Sequence, residues 1–166
     1  MATVKELMDQ LPQQGQVRWL GVRSGRRAPM QVVERLEALV GKGLTGDRYR
    51  GQSGSAGKRQ VTLVQHEHLA AIASMLGRPC IDPLDLRRNI AVSGINLIAL
   101  KGKQFRMGTA VLEYTGLCHP CSRMQETFGR GGYNAVRGHG GICARVVQDG
   151  IIKLGSSVEV VAYSSA

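Results

Sequence analysis

Apolar residues recur along the chain with two periods, and the changeovers between them divide it into elements. Val4, Leu7, Met8 and Leu11 fall on one face of a helix over residues 3–11, opened by a Thr3–Glu6 capping-box pair and ended by a polar run from Gln13. Residues 17–22 alternate and predict a strand bounded by Ser24-Gly25. Residues 31–40 fit either period: Val33, Leu36 and Val40 suit a helix, but the alternation through Val32, Glu34, Leu36, Ala38 and Val40 favours a strand. A loop rich in Gly and Ser, residues 41–58, follows. Residues 60–64 form a β-rich run, and Leu69, Ile72, Ala73 and Leu76 share one face of a helix over 66–76 that Gly77 stops.

Beyond Asn89 the chain reads mostly as strand. Residues 89–92, 96–100, 104–107 and 110–114 are separated by Gly94, Lys101-Gly102 and Gly108, the short even spacing of a sheet closed into a barrel. Ser122 and Gln125 make a second capping-box pair, for a helix over 122–128 that ends at Gly129. Residues 142–148 and 151–154 flank Asp149-Gly150, which predicts a hairpin turn, and a last strand spans 158–163. With no βα alternation and no internal repeat, the expected fold is mainly β: a closed or nearly closed barrel with a few short helices, in one domain over residues 1–166.

Composition narrows the class. At 166 residues, 43% hydrophobic and 20% charged, the chain is long enough for a single core, and wholesale disorder is excluded. The longest apolar stretch, residues 90–100, is broken by Ser93, Gly94 and Asn96, so no membrane-spanning helix is expected. Residues 1–16 carry Glu6 and Asp9 and no charged-then-apolar leader, which places the protein in the cytoplasm. Twenty-two Lys and Arg against 12 Asp and Glu give a net charge of +10; ten basic and three acidic residues between Arg18 and Arg59 supply +7 of it. That excess attracts an anion, either a phosphorylated cofactor or nucleic acid. Residues 129–141 resemble an Arg-Gly-rich RNA-binding segment, but the seven scattered aromatic residues offer no stacking platform, which argues against nucleic acid.

Four cysteines are too sparse for a disulfide scaffold, so reduced thiols are expected, with Cys80 and Cys143 as buried structural residues. Cys118-His119-Pro120-Cys121 stands apart, because it lies where a strand ends and a helix begins. The partial positive charge of a helix start favours a thiolate at Cys121, beside the Ser122 cap. Such a thiolate ligates a soft metal, exchanges disulfides or acts as a nucleophile. A zinc site lacks its second half, since Cys143 and His139 match no common spacing. A thioredoxin-like site lacks a proline beyond Cys121. A second constellation, Arg87-Arg88-Asn89, offers guanidiniums suited to phosphate and an amide suited to a heterocycle edge. Ion pairs with Asp82 and Asp85 are the equal alternative for these arginines.

In order and spacing these landmarks resemble the MOSC domain, found at the carboxyl end of molybdenum cofactor sulfurases and as small free-standing bacterial proteins. The matching segments are Gly43-Leu44-Thr45-Gly46-Asp47-Arg48, Gln60-Val61-Thr62-Leu63 with Glu67, Arg87-Arg88-Asn89-Ile90 with Gly94-Ile95 and Leu100 to Gly102, and Thr115-Gly116-Leu117-Cys118-His119-Pro120-Cys121. The resemblance spans residues 17–161. It implies a β-rich barrel that binds the molybdenum cofactor, a pterin dithiolene with a terminal phosphate, and a protein thiolate that ligates molybdenum or carries sulfur. The family's proline-preceded cysteine falls on Cys121, as catalytic residue and metal ligand; its Arg-x-Asn element falls on Arg87 and Asn89, at the phosphate and pterin. Arg48, Thr62 and Cys118, in the other matched segments, complete the implied cofactor-binding set. Gly155-Ser156 stands where the family commonly has Gly-Asp, and no pyridoxal-phosphate lysine domain is present, so this chain does not itself take sulfur from free cysteine. Two functions remain open: reduction of N-hydroxylated compounds with an external electron donor, or non-catalytic delivery of sulfur or cofactor to a molybdoenzyme.

Overall fold

The alternation of inward and outward residues builds a barrel in the computed structural model, which describes residues 1–49 and 57–161. Its strands are β1 (Gly15–Val22), β2 (Gln31–Val32), β3 (Arg35–Leu39), β4 (Gly43–Leu44), β5 (Val61–Gln65), β6 (Ile90–Ser93), β7 (Gln104–Met107), β8 (Ala110–Leu117), β9 (Ile142–Gln148), β10 (Gly150–Lys153) and β11 (Ser157–Val160). Seven pair in the order β11-β7-β8-β9-β5-β6-β1, and β1 returns to β11 through Gly15–Val158 and Gln16–Ser157 to close the ring. β2 extends the sheet beyond β1, and β10, β3 and β4 form a separate three-stranded sheet.

Leu20, Leu63, Ile90, Leu97, Leu100, Phe105 and Leu112 fill the barrel and are essentially inaccessible to water. A second cluster lies outside the wall, where Val64 and Ala91 meet helices α2 (His66–Met75), α4 (Ser122–Phe128) and α5 (Gly132–Val136) through Ile72, Met124 and Val136. This outer layer positions the site, because α4 begins directly after the second cysteine of the Cys-His-Pro-Cys segment. Two further helices are short: α1 (Val4–Met8) and α3 (Pro83–Leu86).

Several expectations are corrected. The Thr3–Glu6 capping box forms, with the Thr3 hydroxyl accepting from the Glu6 N–H at 3.2 Å, but α1 stops at Met8 and its apolar face is uncovered, with Val4 72% exposed. Residues 97–100 are a 3₁₀ turn instead of a strand, because the Asn96 side chain accepts from the Ile98 N–H at 3.2 Å and caps it. Asp149-Gly150 is not a hairpin turn. β10 pairs with β3, and Asp149 Oδ1 accepts from the Val40 N–H at 2.7 Å, so the turn redirects the chain to the second sheet. β5 and β6 run parallel, joined through α2 and α3, so one β-α-β crossover exists where none was expected. Of the expected 41–58 loop, Gly43–Leu44 pairs as β4, while residues 50–56 lie outside the described residues. The end of the expected 158–163 strand also lies outside them. Cys80 is exposed.

Candidate functional site

Strand register carries one row of residues across β8, β9 and β5, through the residue just before β6, to β1. Gly116 lies opposite Cys143 and Cys143 opposite Thr62; the Asn89 N–H donates to the Thr62 carbonyl at 3.0 Å and the Gly21 N–H to the Asn89 carbonyl at 2.8 Å. Their neighbours Leu63, Ile90, Ile142 and Ala144 face the core, so alternation turns Asn89, Thr62 and Cys143 to the outer face. There the Thr62 N–H and hydroxyl both donate to Asn89 Oδ1, at 3.0 and 3.1 Å, and Asn89 Nδ2 donates to the Gly21 carbonyl at 3.1 Å. Thr62 and Asn89 therefore tie the parallel strands together just below the segment that carries Arg87.

Cys118 continues from β8, its N–H donating to the Gly141 carbonyl at 2.9 Å, and is buried with Cys143. Cys143 Sγ lies 3.9 Å from the Leu117 carbonyl, and each thiol shifts the titration of the other. Donation by the Cys118 S–H pulls the Cys143 thiol down to about 6 against the opposing effect of burial, and the Arg59 guanidinium, donating to the same sulfur, helps. Cys118 is driven strongly upward, by that hydrogen bond to Cys143 and by burial, so one proton serves the pair near neutrality. Arg59 is itself raised, first by its hydrogen bond to Cys143, with Cys118 and Cys121 adding to the effect. Cys121 is exposed. It occupies the N-cap of α4 without a capping side-chain bond, and Ser122 is the first helical residue, so the Ser122–Gln125 capping box does not form.

The arginines divide into two kinds. Asp82 caps α3 by accepting from the Leu84 N–H at 2.9 Å, and the helix ends at Arg87 in the left-handed region, φ 58°, the only non-glycine there among the described residues. Arg88 is buried and its guanidinium is taken up by backbone: Nε donates to Gly140 at 2.8 Å and Nη2 to the Cys118 and His119 carbonyls at 3.3 and 3.2 Å. Arg87 Nη2 donates to the Ala28 carbonyl at 2.9 Å, but its buried Nε has no partner among the described residues. Burial lowers the pKa of Arg87, as do the charges of Arg123 and Arg48, while Cys121 opposes the shift. Arg23 is lowered likewise, by burial and then by Arg87 and Arg48. Arg87 thus stands in the field of Arg23, Arg48 and Arg123, with Cys121 opposing them; Asp47 offsets the repulsion at Arg23, and Arg123 is ion-paired with Glu126 at 3.1 Å. Such a group is stabilised by a bound anion.

Of the residues singled out by sequence, Arg48, Arg87 and Cys121 come together at this group, Thr62 and Asn89 brace the strands beneath it, and Cys118 is buried behind. Asp82 and Asp85 form no ion pair with Arg87 among the described residues. Arg23, Arg59, Arg123 and the lowered pKa of Cys143 were not foreseen. The alternation of 142–144 carried the signal for Cys143, since a cysteine between two inward apolar residues faces outward. Arg59 carried none beyond its charge.

Membership of a family follows. A model of the MOSC domain matches residues 39–159, and the chain belongs to the MOSC domain family, which is associated with molybdenum cofactor binding. Among solved structures, the YuaD protein from Bacillus subtilis shares the fold at a TM-score of 0.77 and 24% identity, over 91% of this chain and 97% of that one. YiiM from Geobacillus stearothermophilus gives 0.72 at 17% identity, over 92% and 77%. YiiM from Escherichia coli gives 0.66 at 18%, over 91% and 72%. These likenesses establish the seven-stranded barrel as the family fold and nothing finer. No curated protein sequence matches the chain. Among the described residues no helix is long and apolar enough to cross a membrane.

Proposed function

We propose that the protein binds the molybdenum cofactor at the arginine group, with Cys121 as the thiolate ligand to molybdenum, and reduces N-hydroxylated compounds using an external electron donor. The observation that carries this reading is Arg87, whose buried Nε lacks a partner among the described residues and whose guanidinium feels the charges of Arg123, Cys121 and Arg48. The residues fit the group. Three or four guanidiniums suit a terminal phosphate, and a single exposed sulfur suits a metal whose remaining ligands come from a dithiolene. Arg87 and Arg48 hold the phosphate, Cys121 fixes the metal end, Thr62 and Asn89 keep the Arg87 loop in place, and Cys118 backs the segment that presents Cys121. When bound, the cofactor supplies the two-electron redox centre that the chain's own side chains lack. Delivery of cofactor or sulfur to a molybdoenzyme is the second reading, favoured by the exposure of Cys121, which leaves its sulfur within reach of a partner.

Elemental analysis tests the first reading on protein from a molybdenum-replete host. Cys121→Ser replaces a soft donor by a hard one, so molybdenum content should collapse with the fold intact by circular dichroism, whereas Cys118→Ser should retain it. Full molybdenum in Cys121→Ser, with loss in Cys118→Ser, would move the ligand to Cys118. An assay with a chemical reductant and a hydroxylamine-type substrate separates reductase from carrier.

A further inference from the structure

Two cysteines meet diagonally across β8 and β9, and each is set opposite a glycine. Gly116 lies opposite Cys143 and Leu117 opposite Ile142, and the Cys118 N–H donates to the Gly141 carbonyl one step further on. Alternation therefore turns Cys118 and Cys143 to the same side of the sheet, two positions apart along the ladder. Gly116 and Gly141 have no side chains, and even a Cβ at Gly116 would meet nothing within 4 Å, so no neighbour on the ladder separates the two thiols. Cys143 Sγ lies 3.9 Å from the Leu117 carbonyl, in the peptide group that leads into Cys118. Both residues are buried, at 5% and 3% exposed, which favours reaction within the pair over reaction with another protein's thiol.

A cysteine buried among apolar side chains alone is inert, but this pair sits in a positive field. The charges of Arg59 and Arg88 favour the anion at both sulfurs, and the Arg88 guanidinium is fixed beside them, donating to the Cys118 carbonyl at 3.3 Å. Arg88 forms no ion pair with a carboxylate among the described residues. With Cys143 lowered to about 6 and Cys118 raised, each moved first by the other, the pair holds one negative charge at neutral pH. The pair also has an entry path. Cys118 lines a cavity of about 180 Å³ beside His119 and Pro120, several times the roughly 30 Å³ of a water molecule, so a small uncharged oxidant reaches its sulfur.

We propose that Cys118 and Cys143 are a redox-active pair, oxidised by hydrogen peroxide to a reversible disulfide between β8 and β9. The charge that the pair shares acts at Cys118, where peroxide arrives. Its thiolate attacks one peroxide oxygen, the O–O bond breaks, and the hydroxide released takes the proton of Cys143, which leaves a sulfenic acid on Cys118 and a thiolate on Cys143. That thiolate attacks the sulfenic sulfur and expels hydroxide. The two sulfurs lose one electron each, and peroxide leaves as one water and one hydroxide. Cys121, nearer in sequence, is not the partner, because it is exposed at the N-cap of α4 while Cys143 is buried with Cys118. The site stands apart from the molybdenum reading, since neither sulfur is the one assigned to the metal.

Treatment of the full chain with stoichiometric hydrogen peroxide, followed by alkylation in denaturant and tryptic mass spectrometry, tests the pair. Of the four free thiols, two should be lost, and dithiothreitol should restore both. The tryptic peptide of residues 107–123 should be joined to that of residues 138–145, through Cys118 and Cys143. Cys121→Ser should form the same link at an unchanged rate. In Cys143→Ser the link should disappear and a sulfenic acid persist on Cys118, where dimedone traps it. Should a serine variant fail to fold, the peptide map of the wild type still decides. A loop closed within residues 107–123, joining Cys118 to Cys121, would overturn the proposal. So would oxidation confined to the exposed Cys80 and Cys121, with Cys118 and Cys143 recovered in alkylated form.

Discussion

Thr62 and Asn89 lock two parallel strands together through four hydrogen bonds: the Thr62 N–H and hydroxyl both donate to Asn89 Oδ1, and the Asn89 N–H donates back to the Thr62 carbonyl and hydroxyl oxygens. Asn89 is buried, so removing its amide leaves the Gly21 carbonyl without its buried donor and the half-buried Thr62 N–H and hydroxyl without their acceptor. Asn89→Ala should lose roughly 2–4 kcal/mol in urea denaturation. A loss under about 0.5 kcal/mol, typical of a surface substitution, would show that the amide does not brace the strands.

Arg87 holds a left-handed backbone that costs a non-glycine residue about 1–2 kcal/mol. Arg87→Gly should therefore be more stable than Arg87→Ala by about 1 kcal/mol, although both lose the same guanidinium. Inorganic phosphate binding, measured calorimetrically at low salt, should weaken by about tenfold to a hundredfold in both variants. Unchanged phosphate affinity would exclude Arg87 from the anion site.

The thiol pair makes stability depend on pH in a defined direction. Cys143 is depressed to about 6 and Cys118 is raised, so the folded pair carries one proton above pH 6, while two unfolded thiols still carry both until about pH 8.5. Between those limits the unfolded chain binds more protons, and stability from the pair rises with pH. Above them it binds fewer, and the contribution falls. The difference in thermal midpoint between wild type and Cys143→Ala should grow as pH rises from 6 to about 8.5. A difference flat from pH 6 to 10 would mean that the sulfurs do not share a proton.

Gly141 and Gly138 both have positive φ, at 87° and 83°, yet their surroundings differ. A Cβ at Gly141 would overlap the Leu63 carbonyl oxygen, whereas at Gly138 it would meet nothing within 4 Å. Gly138→Ala should cost about 1 kcal/mol, from conformation alone, and Gly141→Ala more than about 4 kcal/mol or folding altogether. Comparable midpoints in the two variants would show that the loop moves freely off β5.

How much of this was legible in the sequence depended on distance along the chain. The 122–128 helix and the 142–148 strand were read with their observed bounds, because local period and a bounding glycine determine both. The 3₁₀ turn at Leu97–Leu100 was read as strand because a short apolar run has no period of its own to distinguish the two. At Asp149-Gly150 the turn chemistry was sound, but the partner strand lies more than a hundred residues earlier, and no local signal names it. The same limit governs the site. Arg87, Arg48 and Cys121 were visible as motif residues, while Arg59 becomes distinctive only when folding sets it against Cys143.

The ring of strands is sealed where β1 meets β11 through two residue pairs. A growing chain therefore cannot complete the barrel until its last strand has left the ribosome, although Thr62, Asn89, Cys118 and Cys143 were made long before. Until then these residues belong to an open, edge-bearing sheet that must wait for a distant partner, a slow and aggregation-exposed stage of folding. Slow release of the β11 segment during synthesis would prolong that stage, and the protein's yield should respond to conditions that protect open sheet edges more than to those that stabilise the finished barrel.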